Sequence, residues 1–161
     1  FDNFLLRVYA YSNFKKEVLE CPSLHHLMVF HSRYKYLLMA HNQDKTRALG
    51  RLLGTYDGGS LETLIDDYFS AFIEALSKPA SRKNHTNALF HILGYLKHNL
   101  SPVAREHIVT IIHNYNKGLT PLTTPLTLLK HYLMQHGSDY IKEQRYLEPY
   151  PEKISPTVQY L

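Results

Sequence analysis

Residues that typically begin or end helices recur along the whole chain, and they restrict the folds that it can adopt. Serine, aspartate or threonine, often beside proline, precedes segments in which apolar residues recur every three or four positions. The predicted helix starts lie at Asp2, Pro22–Ser23, Ser60, Pro79, Ser101–Pro102, Thr120–Pro121 and Ser138. No segment alternates apolar and polar residues in the way that a half-buried strand does. The sequence therefore predicts an all-α fold, a compact bundle of about seven helices.

Length and continuity favour a single domain. At 161 residues the chain is long enough to bury a core of its own, and no repeat or linker interrupts it. We therefore expect one helical domain spanning residues 1–161. Residues 146–161 are rich in Pro and Tyr, which suit an extended tail along the surface better than a helix. Because the chain opens with Phe1 and already looks helical there, we expect a segment of a longer polypeptide.

Apolar residues at helical spacing identify a candidate core. Four of them are expected to be buried: Leu89, Ile92, Leu126 and Leu129. Lys83 and Lys97 should keep their charged ends in water. The apolar sets of the first two helices also include Phe4, Val8, Tyr11 and Met28. These positions define which helix faces should point inward.

The charge of the chain is modest in total but uneven in distribution. The whole chain carries 18 Lys and Arg against 14 Asp and Glu, a formal net charge of +4. Residues 41–77 contain six acidic and three basic residues, whereas residues 78–138 contain seven basic residues and one acidic residue. Seven of the eleven histidines also lie in that basic segment. Such an asymmetry indicates either an anion-binding face or a solubilising surface.

The segment 79–97 has the most unusual composition, because cationic and amide side chains accompany its apolar stripe and no carboxylate occurs in it. Basic side chains neutralise phosphates, whereas Asn and His hydrogen-bond to base or sugar edges. The candidate nucleic-acid or anion-binding residues are Arg33, Lys35, Arg82, Lys83, Asn87, His91, Lys97, Lys130 and His131. Four tyrosines among them could stack on unpaired bases: Tyr34, Tyr36, Tyr95 and Tyr132. The alternative is a solvated helix surface with half-buried tyrosines.

Cysteine usage and hydropathy indicate where the protein works. A single cysteine, Cys21, excludes an intrachain disulfide framework and indicates a reducing compartment, which we expect to be the cytoplasm. We expect Cys21 to be a small packed residue rather than a nucleophile. No apolar run approaches the roughly 20 residues needed to span a bilayer, so no membrane partner is expected.

Metal binding and catalysis find little support in the motifs. No two of the eleven histidines are three or four residues apart, as a helical zinc site usually requires, so we expect no metal and no cofactor. A site assembled from different helices, for example by His31, His41 and His91, stays open. No Gly-x-Ser-x-Gly motif or phosphate loop occurs, and no catalytic residue is assigned. A pair formed by His91 and an acid from residues 62–67 also stays open.

Several strings in this chain resemble those of the YbgA-like bacterial proteins. They are 30–42 (FHSRYKYLLMAHN), 79–87 (PASRKNHTN), 118–122 (GLTPL), 125–131 (PLTLLKH), 144–147 (QRYL) and 149–151 (PYP). The function of that family is unknown, so the resemblance implies no catalytic residues. The family is similar to a module often fused behind a cysteine-rich thiouracil desulfidase domain. The resemblance therefore implies an accessory role, such as presenting thiolated RNA to a desulfidase partner.

Three hypotheses follow for the function. The first is an accessory domain that binds RNA, with tRNA as the expected ligand. The second is a small-molecule enzyme with a polar pocket between the helices 23–42, 84–99 and 122–136. The third is a protein-interaction scaffold for a desulfidase partner. A continuous basic groove would favour RNA, whereas a closed polar pocket would favour an enzyme.

Overall fold

The structure, a computed structural model, describes residues 1–152. In that part of the chain the backbone forms eight α-helices and one π-helical segment, and no strand. The helices are α1 (Asn3–Phe14), α2 (Leu24–His41), α3 (Gln43–Gly54), α4 (Leu61–Ala75), α5 (Arg82–Gly94), α6 (Pro102–Asn116), α7 (Thr123–His136) and α8 (Asp139–Lys142). The π-helical segment Lys15–Leu19 continues α1. The prediction of an all-α fold is confirmed.

Short polar side chains begin most of these helices. Six residues accept a hydrogen bond from the backbone N–H three positions later: Asp2, Ser23, Asn42, Ser60, Ser81 and Ser101. Each bond satisfies one of the donors that the first turn of a helix leaves free. The start of α7 differs from the prediction, since α7 begins at Thr123 rather than at Thr120–Pro121.

Aromatic rings fill the centre of one contiguous core. Phe14, Phe30, Tyr34, Tyr68 and Phe72 are all at most 1% exposed. The ring centroids of Phe30 and Tyr34 lie 4.5 Å apart in a stacked arrangement. Aromatic pairs at such distances stabilise a core beyond their buried area. The cluster joins α1, α2 and α4 into one unit.

The predicted core of α5 and α7 is confirmed. Leu89, Ile92 and Leu129 are fully buried and Leu126 is nearly so. Lys83 and Lys97 are exposed, also as predicted.

Several apolar residues of the first two helices lie outside the core, contrary to prediction. Phe4 is 71% exposed, Tyr11 52% and Val8 46%, and Met28 is 49% exposed. The helix α1 carries two apolar stripes, and it is the one with Leu6, Ala10 and Phe14 that faces inward. Helical spacing alone fits both stripes, so it does not select between them. Cys21, expected to be packed, is exposed.

The chain after α8 folds back onto the bundle. Residues 145–147 form a turn, and Tyr146, Leu147 and Tyr150 are buried. The Tyr150 hydroxyl accepts a hydrogen bond of 2.7 Å from the backbone N–H of Asp2. This first part of the predicted tail therefore packs into the molecule, and residues 153–161 lie outside the described part of the chain.

Helix α2 is the centre of the architecture. It packs against α3, α4 and α5, and α5 in turn packs against α6 and α7. Asn42 ends α2 and begins α3, so these two helices form a hairpin with a very short connection. Within residues 1–152, no helix is long and apolar enough to cross a membrane.

Candidate functional site

A groove of about 710 Å³ lies between α2, α3 and α5. Helix α2 contributes His31, Ser32, Lys35 and Met39, and α3 contributes Gln43, Thr46, Arg47 and Gly50. Helix α5 contributes Asn87 and His91, and Tyr140 of α8 completes the lining. Two of the three segments predicted for a polar pocket, 23–42 and 84–99, line this groove. Its third wall is α3 rather than residues 122–136.

Helical spacing explains why these side chains share one groove. Residues three, four or seven positions apart lie on one face of a helix, and the lining residues of each helix follow this spacing. A Cβ on Gly50 would lie 3.8 Å from Nε2 of His31. Helices α2 and α3 therefore remain close together even about two to three turns away from their connection at Asn42. The ring centroids of Tyr36 and His91 lie 6.4 Å apart, which fixes α5 against α2.

These contacts give the groove an order along its length. Met39, Gln43 and Asn87 lie at the end nearest the turn between α2 and α3, which we call the amide end. Lys35, Arg47 and His91 lie one helical turn further along. His31, Gly50 and Tyr140 lie at the far end.

The groove is positively charged. No carboxylate lines it, whereas Lys35 and Arg47 do. Among the described residues Lys35 makes no ion pair, and its Nζ lies 5.8 Å from the centroid of the Tyr36 ring. Arg47 contacts Asp44 at 3.2 Å, but both side chains are mostly exposed, so this pair contributes little. Both cations are therefore accessible to an anionic ligand.

His31 is a neutral imidazole at the far end. Its Nδ1 lies 3.0 Å from the hydroxyl of Tyr68, which is fully buried. Burial, together with the positive charge of Lys35, lowers the pKa of His31 to about 4. If the Tyr68 hydroxyl donates to Nδ1, the single ring proton lies on Nε2, next to Gly50. In that tautomer the Tyr68 hydroxyl has its acceptor, and the Nε2–H is available to a ligand.

Two amide side chains line the amide end. Gln43 and Asn87 are half-buried and line the groove from α3 and α5. Within residues 1–152 no hydrogen bond involves either side chain, although each carries two N–H donors and one carbonyl acceptor. These groups are free to bind a polar ligand.

A cluster of tyrosines closes the far end. The hydroxyls of Tyr36 and Tyr95 lie 2.9 Å apart, and the rings of Tyr95 and Tyr140 lie 5.8 Å apart. Burial raises the pKa of Tyr140 to about 12, and burial with the bond to Tyr95 raises the pKa of Tyr36 well above its usual value. The hydroxyls of Tyr36 and Tyr140 therefore stay neutral. Tyr34 takes no part, since it is fully buried and accepts a hydrogen bond from Asn13.

Three of the predicted binding residues meet in the groove: Lys35, Asn87 and His91. Arg33 lies apart, in a network of ion pairs. Its guanidinium contacts Glu17 at 3.4 Å and Glu143 at 3.3 Å, and Arg145 also contacts Glu17. Arg33 therefore ties α2 to the π-helical segment and to the turn after α8.

Arg82 is also engaged in the fold. Its Nη1 donates a hydrogen bond of 2.7 Å to the backbone carbonyl of Tyr115, and the guanidinium lies 5.0 Å from the Tyr115 ring centroid. It thus caps the end of α6, where the helix dipole favours a cation and where the Tyr115 carbonyl also accepts from the backbone N–H of Gly118. Lys83 and Lys97 are exposed at opposite ends of the α5 region.

The two predicted residues of α7 lie away from the groove. Lys130 forms an ion pair of 2.6 Å with Glu152, and this contact lowers the pKa of the Glu152 carboxyl. His131 lies in a separate shallow depression beside Leu128 and Thr127. The nine predicted residues therefore do not form one surface.

Sequence reasoning missed the whole contribution of α3. Gln43, Arg47 and Gly50 follow one another at spacings of four and three residues, which places them on one helix face. That spacing is visible in the sequence, but residues 41–77 have an acidic balance, which does not indicate an anion-binding surface. Tyr140 carries no local signal, since only tertiary structure brings it to the groove.

Metal and acid–base alternatives have no assembled site in the described residues. Within residues 1–152, no group of three His, Cys, Asp or Glu side chains is placed to hold a metal ion. His41 instead lies with Nδ1 2.7 Å from the carbonyl oxygen of Lys78. The absence of acids from the groove lining leaves His91 without the partner proposed from residues 62–67.

Comparison with known proteins identifies the family. The family described as "Protein of unknown function (DUF1722)" matches residues 35–151, a span that includes the amide end and His91. The chain is 30% identical over 155 residues to "Uncharacterized protein YbgA" of Escherichia coli (strain K12), covering 96% of this chain and 92% of that protein. This chain therefore belongs to the DUF1722 family, and the resemblance to YbgA-like proteins is confirmed. No solved structure matches it.

Proposed function

We propose that this chain is an accessory domain that binds RNA, with tRNA as the expected ligand, through the groove between α2, α3 and α5. The observation that carries the proposal is that the groove gathers Lys35 and Arg47 with free amides and no carboxylate. Cations supply affinity for phosphates, and amide and imidazole groups add contacts to bases and sugars. A cytoplasmic location and a desulfidase partner belong to the same proposal.

The shape of the groove favours a polymer over a small-molecule substrate. Lys35, Arg47 and His91 are exposed at its rim, so that a chain longer than the groove can enter and leave it. Lys83 and Lys97 are exposed beyond the two ends of the α5 wall, where further phosphates of a large RNA would pass. The enzyme hypothesis lacks support at this site, because His91 has no acidic neighbour in the lining and His31 is held neutral.

The test is a titration of tRNA with three proteins at two salt concentrations. Replacing Lys35→Glu and Arg47→Glu together should weaken binding more than tenfold, because two phosphate contacts become repulsions. The matched control replaces Lys15→Glu and Lys16→Glu, which are exposed on the π-helical segment and make the same change in net charge. The control should bind nearly as well as the parent, and binding of the parent should fall steeply as salt rises.

Two results would contradict the proposal. If both double variants weakened tRNA binding equally, the loss would come from the change in net charge and not from the groove. Absence of binding by the parent at low salt would remove RNA as the ligand.

A further inference from the structure

We propose that the groove holds one unpaired nucleotide of the RNA, with its phosphate between Lys35 and Arg47 and its base at the amide end. This inference rests on the proposed function and names the unit of RNA that the groove recognises. It separates the groove from a purely electrostatic surface, which would bind the phosphates alone.

The main support for a bound base is the chemistry of the two amide side chains, Gln43 and Asn87. A phosphodiester accepts hydrogen bonds and donates none, so the carbonyls of Gln43 and Asn87 could not bond to it and would be left to water. The edge of a nucleobase presents donors and acceptors side by side in one plane, and carboxamide side chains pair with such edges through two bonds. Gln43 lines the groove from α3 and Asn87 lines it from α5, and within residues 1–152 no hydrogen bond involves either side chain. Their chemistry therefore fits a base.

The remaining wall of the amide end suits the face of a ring. Met39 is half-buried there, and the thioether of methionine makes favourable contacts with aromatic rings. Met39 can contact the face of a base, while the two amides bind the polar groups at its edges.

The dimensions fit a single nucleotide. Lys35 and Met39 are one helical turn apart on α2, a rise of about 6 Å, which is comparable to the separation of phosphate and base within one nucleotide. The groove volume of about 710 Å³ is large enough to hold one nucleotide of a longer RNA. A base in a duplex hides its pairing edge, so the ligand must be an unpaired nucleotide such as those in RNA loops.

The test compares short RNAs that differ only in their bases. Fluorescently labelled hexamers of A, C and U are titrated beside a hexamer of the same ribose–phosphate backbone without bases. At least one base-containing hexamer should bind about tenfold more tightly than the abasic one, as expected for one recognised base. Asn87→Ala should remove most of that difference, because it should weaken the base-containing hexamer much more than the abasic one.

Control variants keep the experiment decisive. Asn114→Ala removes a half-buried amide on α6, away from the groove, and should leave every affinity unchanged. Gln43→Ala, on a different helix from Asn87, provides a second route if Asn87→Ala fails to fold, and should also reduce the difference between base-containing and abasic hexamers.

The outcomes separate this inference from the proposed function. If the abasic hexamer binds as tightly as the others, the groove recognises phosphates alone and the inference is wrong, while RNA binding survives. If Asn87→Ala weakens all hexamers equally, its amide does not recognise a base. If no hexamer binds although tRNA does, this inference is wrong and the proposed function survives. If Lys35→Glu with Arg47→Glu binds tRNA and the hexamers as the parent does, both proposals are wrong.

Discussion

At the scale of single residues, buried histidines link stability to pH. His85 is 6% exposed, its Nδ1 lies 2.8 Å from the Tyr146 hydroxyl, and burial lowers its pKa to about 3. The pKa of histidine in an unfolded chain is about 6.5. Below that pH the unfolded state binds a proton that the folded state does not. The stability contributed by a neutral buried His85 is therefore complete above about pH 6.5 and is lost as the pH falls toward its folded pKa.

This linkage is measurable in the pH dependence of unfolding. Between about pH 7 and about pH 5, the parent should lose more free energy of unfolding than His85→Phe, by up to about 1.4 kcal/mol per pH unit below the unfolded pKa. Urea unfolding at the two pH values gives the comparison, and His131→Phe, at an exposed position of α7, serves as the control. The same loss in the parent and in His85→Phe would mean that His85 takes up its proton in the folded protein.

Arg82 should act on stability, although its position beside a helix start suggested a role in anion binding. Arg82→Gln removes the hydrogen bond to the Tyr115 carbonyl and the contact with the Tyr115 ring. We expect a loss of about 1–2 kcal/mol in the free energy of unfolding. Lys83→Gln, one position later and exposed, should change it by less than about 0.5 kcal/mol. Equal effects in denaturant unfolding would show that Arg82 does not cap α6.

At the scale of helices, α5 supports both the core and the groove. Its buried side carries Leu89 and Ile92, whereas Asn87 and His91 face the groove. Ile92→Ala should lower the free energy of unfolding by about 2–5 kcal/mol, because it leaves a cavity in the core. Val103→Ala, at a position 78% exposed, should cost less than about 0.5 kcal/mol. A loss of that small size at Ile92 in chemical denaturation would contradict the packing of α5.

Helix existence was predictable from the sequence because its causes are local. Ser23, Ser60 and Ser101 cap the helices they were expected to cap, each through a bond to an N–H three residues away. The inward face of α1 was not predictable, since Phe4 and Phe14 both belong to apolar stripes of that helix. The packing of α1 against α2 and α4 decides which stripe is buried, and that packing is tertiary.

The candidate site was predictable in part, for the same physical reason. Lys35, Asn87 and His91 could be predicted as binding residues, because they are cationic or hydrogen-bonding side chains on two predicted helices. The sequence did not show which cations already have partners. Arg33 meets Glu143, which is 110 positions away along the chain. Pairing over such a distance depends on tertiary structure, as does the arrival of Tyr140 at the groove.

At the scale of the whole molecule, the uneven charge of the sequence does not map onto a single face. The basic segment 78–138 is divided among α5, α6 and α7, and Lys130 is neutralised by Glu152. The groove takes one of its two cations, Arg47, from the segment with an acidic balance. The packing of the α2–α3 hairpin against α5, rather than the charge of any one segment, therefore creates the basic site.

The central claim, that RNA lies in this groove, is tested most directly by locating the contact. Ultraviolet crosslinking of the bound tRNA, followed by mass spectrometry of the peptides, reports which residues touch the nucleotides. Crosslinks should concentrate on the groove residues of α2, α3 and α5, above all near Met39, His91 and Tyr140, and should disappear in the Lys35→Glu and Arg47→Glu double variant. Crosslinks confined to α1, to the π-helical segment or to α7, unaffected by that variant, would contradict the claim.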